Sequence, residues 1–356
     1  MRSTFAALLL VLGGCKKTAV PADAGVDAAV APVVSAAPAK PVVPTTPEQL
    51  ATGLGNEGVI AIDAERAYWV DTGGLSSVPK RGGERMSLDE KTTRAGVLFI
   101  DGTDVYYGGH FGFSGLFHLR RAQLSATRGR PVRCFAADRD AVYWREMNQE
   151  PTVADGLHGD LFREAKDGGE NTLVTRVGAG DSCAVDDTHV FWSETPRNGN
   201  HVVRAKAKAN DAVKTLRTLK GAPRGDNLRV DGSTLYWTEF GAVVSAPKLG
   251  GPETRIAMPS VVESCSLEDL VIDETHVFFS CAGYPGESTG SIWRVPKAGG
   301  PPRCLAGKLA EPAGLAVDHE TVYWAFRGSG EAPARSGVAR IARDAPGVDD
   351  VGCASK

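Results

Sequence analysis

Short apolar runs closed by an aspartate, each followed by a turn and two adjacent aromatic residues, recur along most of this chain. The aspartates are Asp63, Asp101, Asp138, Asp186, Asp231, Asp273 and Asp318. Five residues after them stand Tyr68-Trp69, Tyr106-Tyr107, Tyr143-Trp144, Phe191-Trp192, Tyr236-Trp237, Phe278-Phe279 and Tyr323-Trp324. In the first copy, Val59-Ile60-Ala61-Ile62 is a continuous apolar run, as a strand buried on both faces requires. Asp63 suits the turn that follows, because its carboxylate accepts a backbone N–H two residues on. The aromatic pair lies on the next strand, where neighbouring side chains point to opposite faces, so both faces of that strand need cover.

A third strand follows in each copy, such as Leu75 to Val78 or Val243 to Ala246. Several of these end in a lysine and a glycine doublet: Lys80-Arg81-Gly82-Gly83, Lys166-Asp167-Gly168-Gly169, Lys248-Leu249-Gly250-Gly251 and Lys297-Ala298-Gly299-Gly300. Those glycines suit a hairpin leading to a weaker outer strand, for example Arg255-Ile256-Ala257. Successive aspartates are 38, 37, 48, 45, 42 and 45 residues apart, which accommodates four short strands and their turns. A lone sheet with one wet face cannot cover both aromatics, whereas sheets stacked around an axis can. The pattern predicts an all-β chain, a seven-bladed β-propeller, with six blades as the alternative if one copy is degenerate. For ring closure, Gln49-Leu50-Ala51 is expected beside Val338 to Arg343, with Val348 to Cys353 competing for the same slot.

Tyr236-Trp237-Thr238-Glu239 and, less closely, Tyr68-Trp69-Val70-Asp71 resemble the Tyr-Trp-Thr-Asp repeats of low-density-lipoprotein-receptor-type propellers. The resemblance covers about residues 48 to 353 and implies a propeller. The receptor domains have six blades and flanking cysteine-rich modules, which this sequence does not show, so their partners do not carry over.

The N-terminus predicts three segments: a signal peptide over 1–14, a linker over 15–47 and the propeller over 48–356. Phe5 to Leu12 is apolar but too short to span a bilayer, and Leu12-Gly13-Gly14-Cys15 resembles the bacterial lipobox. The resemblance implies lipid attachment at Cys15, hence a membrane partner through the anchor and a place in the bacterial cell envelope, at the outer membrane, in the periplasm or on the cell surface. Thr18 to Thr46 is mostly Ala, Val and Pro without aromatics, and buries too little surface to offset the entropy of ordering. As an extended tether it would reach on the order of 90 Å. The formal charge is −3 and, once Arg2 leaves with the signal, −4, which with no basic stripe speaks against nucleic acid.

Beyond Cys15 there are Cys134, Cys183, Cys265, Cys281, Cys304 and Cys353. An even number in an exported chain points to disulfides. Cys265 and Cys281 flank one hairpin and form the first expected pair; Cys134 and Cys183 occupy similar places in neighbouring copies and form the second. Acids stand eight residues after four of the aspartates, at Asp71, Glu146, Glu194 and Glu239. They could ring one face with charge or serve as local hydrogen-bond acceptors, and their repetition favours the structural role. His189 and His276 recur at one turn position and belong to the repeat. No zinc spacing or nucleophile motif occurs, so no metal, cofactor or catalytic residue is assigned.

Connections between second and third strands break the symmetry, being long at Arg145 to Gly159, Ala282 to Gly290 and Phe326 to Ser336. They share one face, where binding in repeat rings commonly resides. Arg145, Glu146, Glu150, Glu194, Arg197, Tyr284 and Arg327 are therefore the candidate binding residues. The sequence favours a monomeric binding or scaffold module with a protein or small-ligand partner on that face; the alternative is a propeller enzyme, hydrolase or metal-dependent lactonase-like, with its site at the channel mouth. Palmitate labelling in the native host tests the anchor: the label is expected to vanish in Cys15→Ser and persist in Cys304→Ser, and an unlabelled wild type would overturn it.

Overall fold

The computed structural model describes residues 43–53, 58–71, 74–90, 95–102, 104–109, 116–120, 123–128, 130–147, 159–196, 200–219, 227–239, 241–257, 265–284, 287–327, 336–348 and 353. Its strands form seven four-stranded antiparallel sheets, the blades of a seven-bladed β-propeller. The blade around Asp231 shows the unit: Arg229–Asp231, Thr234–Glu239, Ala242–Pro247 and Thr254–Ala257, each hydrogen-bonded to the next. Blades are numbered here by their aspartates, from Asp63 in blade 1 to Asp318 in blade 7.

Six blades take their strands from consecutive sequence. Blade 7 combines Pro312–Val317, Thr321–Phe326 and Gly337–Ala342 with the N-terminal strand Glu48–Thr52, which pairs antiparallel from Glu48 opposite Arg340 to Thr52 opposite Gly337. The N-terminal segment thus closes the ring. The competing C-terminal segment is held elsewhere, because Val348 N–H donates to the Cys304 carbonyl at 3.0 Å and Cys353 is disulfide-bonded to Cys304 in blade 6. The other disulfides are Cys265–Cys281 within blade 6 and Cys134–Cys183, which joins the first strands of blades 3 and 4.

All fourteen side chains of the aromatic pairs are at most 9% exposed. Tyr68 packs with Val105 and Tyr107 of blade 2, while Trp69 on the opposite face packs with Tyr323, Ala325 and Val338 of blade 7. Each ring so buried contributes on the order of 3 kcal/mol against an exposed reference. The demand for cover on two sides is met by the blade before and the blade after.

The aspartates bind the blades together on the face where first and second strands connect. Asp186 Oδ1 accepts the N–H groups of Thr188 and His189 at 2.7 and 2.8 Å, and Asp63, Asp138, Asp273 and Asp318 accept the corresponding pairs. In three blades the tyrosine hydroxyl donates to the other oxygen: Tyr68 to Asp63 at 2.6 Å, Tyr143 to Asp138 at 3.0 Å and Tyr323 to Asp318 at 3.3 Å.

A cation just past the third strand of the following blade completes each latch. Lys166 reaches Asp101 at 2.7 Å, Lys248 reaches Asp186 at 2.6 Å, Arg343 reaches Asp273 at 3.0 Å, and Lys208 and Lys297 pair with Asp138 and Asp231. Lys80 of blade 1 reaches Asp318 of blade 7 at 2.8 Å, so the same latch spans the closure. Its ammonium also lies 5.5 Å from the centroid of the Tyr323 ring, adding a cation–π contact. The position that would serve Asp63 is Arg121, outside the described residues.

Burial pushes the Asp186 carboxyl up, but Lys248 and the N–H groups of Thr188 and His189 outweigh it and hold the pKa at about 2. The same opposition of burial and donors lowers Asp138, Asp273 and Asp318. A depressed folded pKa means the unfolded chain takes up protons first, so this stabilisation is complete above about pH 4 and is lost as pH falls towards about 2. Lys248→Met is expected to lower Tm at neutral pH and to flatten the fall in Tm across that acid window. An unchanged acid slope in a thermal scan would show that Asp186 is not latched in this way.

Candidate functional site

The first strands of the seven blades surround a cavity of about 810 Å³. At one end they run into the latched turns. At the other they begin where the second strands finish: Val132 pairs with Glu146 and Leu267 with Cys281. The cavity mouth therefore opens on the face of the long connections.

Two residues before each aspartate, the blades present Ala61, Phe99, Ala136, Ala184, Arg229, Val271 and Ala316 to the cavity. One member of this layer is charged. Arg229 gives Nη2 to Asp269 Oδ1 at 3.1 Å and Nη1 to the Leu228 carbonyl at 3.1 Å. Asp269 also accepts Leu270 N–H at 2.7 Å and, on its other oxygen, Leu315 N–H of blade 7 at 2.8 Å. Burial pushes the Asp269 carboxyl above its ordinary value, and Arg229 with those two N–H groups offsets only part of that.

Beside Asp269, Glu268 accepts Arg327 Nη1 at 3.1 Å and the Ser266 hydroxyl at 3.1 Å. Both acids stand on a bulge, because Leu267 pairs with Cys281 and Leu270 with Phe279, leaving two residues opposite Ser280. Ser280 secures the bulge by accepting Asp269 N–H at 3.1 Å and donating to the Ala313 carbonyl at 2.7 Å. The Cys265–Cys281 disulfide ties the same strand end. Arg133 occupies a second bulge, between Val132 and Cys134, and faces Asp181 at 3.6 Å.

Blade 1 makes room for this arrangement. A Cβ on Gly58, whose φ is +66°, would sit 2.8 Å from Arg327 Nε and 2.6 Å from Ala313 Cβ. Across the mouth the wall is apolar, with the Phe99 and Phe135 rings stacked at 6.4 Å beside Val59 and Val97. The cavity is thus half apolar and half charged, and its ionic groups hold one another.

Of the residues expected from loop lengths, Arg327 lines the cavity. Tyr284 is 54% exposed on the surrounding surface. Glu150, Arg197 and Cys15 lie outside the described residues. Arg145, Glu146 and Glu194 are buried in the blades. Trp144 Nε1 donates to Glu146 and Trp192 Nε1 to Glu194, each at 3.0 Å, because residues two apart on a strand share a face. Glu194 further accepts Gly178 N–H at 2.7 Å and pairs with Arg204 at 2.7 Å. Arg145 crosses into blade 4 and donates to the Ser193 carbonyl at 3.1 Å; a Cβ on Gly180 would come within 2.9 Å of its Nη1. Glu146 and Glu194 are thus acceptors inside the sheets, each for the indole of its own strand.

Arg133, Asp181, Asn227, Arg229, Glu268 and Asp269 were not singled out from the sequence. Their signal was present: Arg133, Asp181 and Glu268 stand five residues before their aspartates, where other copies have Gly58, Gly96 or Ala313, and Arg229 stands where the other six copies are apolar. Among the described residues no group of three or more His, Cys, Asp or Glu is placed to hold a metal.

Solved structures share the fold. A match to an oligogalacturonate lyase in complex with manganese has a TM-score of 0.57 at 12% identity, over 83% of this chain and 92% of that one. The extracellular domain of a candidate hybrid two-component system from B. thetaiotaomicron gives 0.56 at 13%, over 83% and 39%. A prolyl endopeptidase gives 0.55 at 13%, over 77% and 47%. This chain is a seven-bladed β-propeller. It spans less than half the length of the last two proteins, and at such identities the likeness extends to the fold alone. The nidogen–laminin complex, with a TM-score of 0.46 at 15% identity over 64% of this chain and 95% of that one, is more distant. No protein-family model and no curated protein matches the sequence.

Glu194→Ala leaves the Trp192 indole and Arg204 without their acceptor and is expected to cost about 3 kcal/mol in urea unfolding. Glu194→Gln keeps one acceptor oxygen and should cost less. Equal losses would mean that the carboxylate acts through its charge and not through the indole hydrogen bond.

Proposed function

We propose that this protein is an exported, lipid-anchored binding module of the bacterial cell envelope that holds a small polar ligand in the mouth of its propeller channel. One observation carries the reading: Arg229 interrupts a layer of the channel that is apolar in the other six blades. The repeat needs no cation there, and placing one in a partly enclosed cavity costs desolvation that a purely structural layer avoids. Asp269 on the bulge then keeps the cation in place before any ligand arrives.

The compartment is supported by the N-terminal sequence and by three disulfides, which persist in oxidising surroundings. A propeller can host enzymes or binding proteins, and its fold does not choose between them. The manganese-bound lyase invites a metal-dependent reading, but the described mouth residues are ion-paired guanidinium and carboxylate groups rather than a ligand set. Binding is the use that fits them.

Ala61→Trp tests the cavity, since Ala61 lines the same layer and is only partly buried. Native mass spectrometry of protein from its own host is expected to show a bound small molecule on the wild type that is missing from Ala61→Trp at unchanged Tm. Retention of that molecule by the filled variant would place binding elsewhere.

A further inference from the structure

The geometry points to an organic carboxylate as the ligand of the channel mouth, its acid group gripped by Arg229 and Arg327 while its body rests on Phe99 and Phe135. This deepens the binding-site reading above and depends on it.

The two acids of the bulge have most of their acceptor capacity in use. Asp269 accepts from Arg229, Leu270 and Leu315, and Glu268 from Arg327 and Ser266. The guanidiniums are in the opposite position. Each carries five N–H donors; in the described structure Arg229 spends its bonds on Asp269 and Leu228, and Arg327 on Glu268. Their side chains are 34% and 32% exposed, against 19% for Asp269 and 24% for Glu268. An entering molecule therefore meets spare donors before spare acceptors, and a carboxylate matches a guanidinium fork.

The grip is built in advance. Consecutive residues on one bulge hold Arg229 from blade 5 and Arg327 from blade 7, so the cations converge from opposite sides upon anchors whose Cα atoms are about 3.8 Å apart. Ordering them beforehand removes that entropy cost from binding. Asp181 is the most exposed acid of these pairs, at 57%, but it sits at the rim against Arg133, where water weakens its pull on a cation or its repulsion of an anion.

The apolar half fixes the rest of the ligand. Phe99 stands two residues before its aspartate, as Arg229 does, and Phe135 three before, so the rings and the inner guanidinium occupy neighbouring levels of the channel. A molecule carrying a carboxylate on a ring or apolar body spans from one to the other. An acidic sugar and the free carboxyl end of a peptide both present that chemistry.

Calorimetric titration of the full-length protein with matched acid and neutral probes separates these sources. The pairs are trigalacturonate with its trimethyl ester, and the tripeptide N-acetyl-Ala-Ala-Phe with its C-terminal amide. In one pair the acid is expected to bind about tenfold to a hundredfold more tightly than its neutral partner, as loss of a charge-assisted hydrogen bond implies. Arg327→Gln, made together with Glu268→Gln so that Glu268 is not left unpaired, should abolish that preference while leaving the weaker neutral binding and Tm intact. Because Arg229→Gln alone strands Asp269, it is made together with Asp269→Asn, with the same expectation. Neutral probes binding as tightly as acids, or a preference that survives both variants, would overturn the carboxylate inference and leave the cavity as a binding site. If no probe binds but a host molecule is still recovered on wild type and not on Ala61→Trp, the inference alone is overturned. No recovered molecule and no binding probe would remove both readings.

Discussion

Cover on both sides of the second strand is the constraint from which this architecture follows. A tyrosine or phenylalanine next to a tryptophan, tyrosine or phenylalanine places large rings on opposite faces of a sheet, and neither face can then be left to water. Every blade must have two neighbours, so the array has to return to its start. The N-terminal strand Glu48–Thr52 supplies the last edge, and Lys80 on Asp318 carries the inter-blade latch across the junction. Closure by strand pairing and closure by ion pair coincide at the interface of blades 7 and 1.

The aspartates show how one side chain can serve three scales of structure. One oxygen organises the local turn, the other receives a tyrosine of the same blade in the blades of Asp63, Asp138 and Asp318, and the next blade adds its cation. This work concentrates on one face of the ring and commits the charges there to one another. The opposite face is released from that duty. There several first strands bulge, and the position that in other blades holds Gly58, Gly96 or Ala313 carries Arg133, Asp181 or Glu268, with Asp269 beside the last. Departure from the repeat is more informative about ligand chemistry than the repeat itself, because packing accounts for features that recur in every blade and leaves the exceptions to be explained.

Covalent links follow the same division. Cys134–Cys183 joins two strands that line the cavity, and Cys265–Cys281 holds the strand end ahead of the acidic bulge, so both lie close to the mouth. Cys304–Cys353 instead secures the chain after the last blade to the outer part of blade 6. That attachment explains why a C-terminal segment with strand-like sequence does not compete for the edge of Gly337–Ala342.

The seven blades, the order of strands in each and the N-terminal closing strand were legible in the sequence, because alternation, turn chemistry and the aspartate-to-aromatic spacing act over a few residues and repeat. The candidate site was only partly so. Loop length indicated the face on which the cavity opens and included Arg327, which lines it, but it also nominated Arg145, Glu146 and Glu194, whose partners are an indole in their own strand or a carbonyl or guanidinium brought beside them by folding. Arg229 and the Glu268-Asp269 bulge looked like interruptions of an apolar run. Only the ring sets Arg229 of blade 5 against Asp269 of blade 6, and Arg327 of blade 7 against Glu268, across tens of residues of chain. Periodicity is a local property that a sequence records directly, whereas the pairing of unlike charges across blades depends on distances that exist only once the ring has closed.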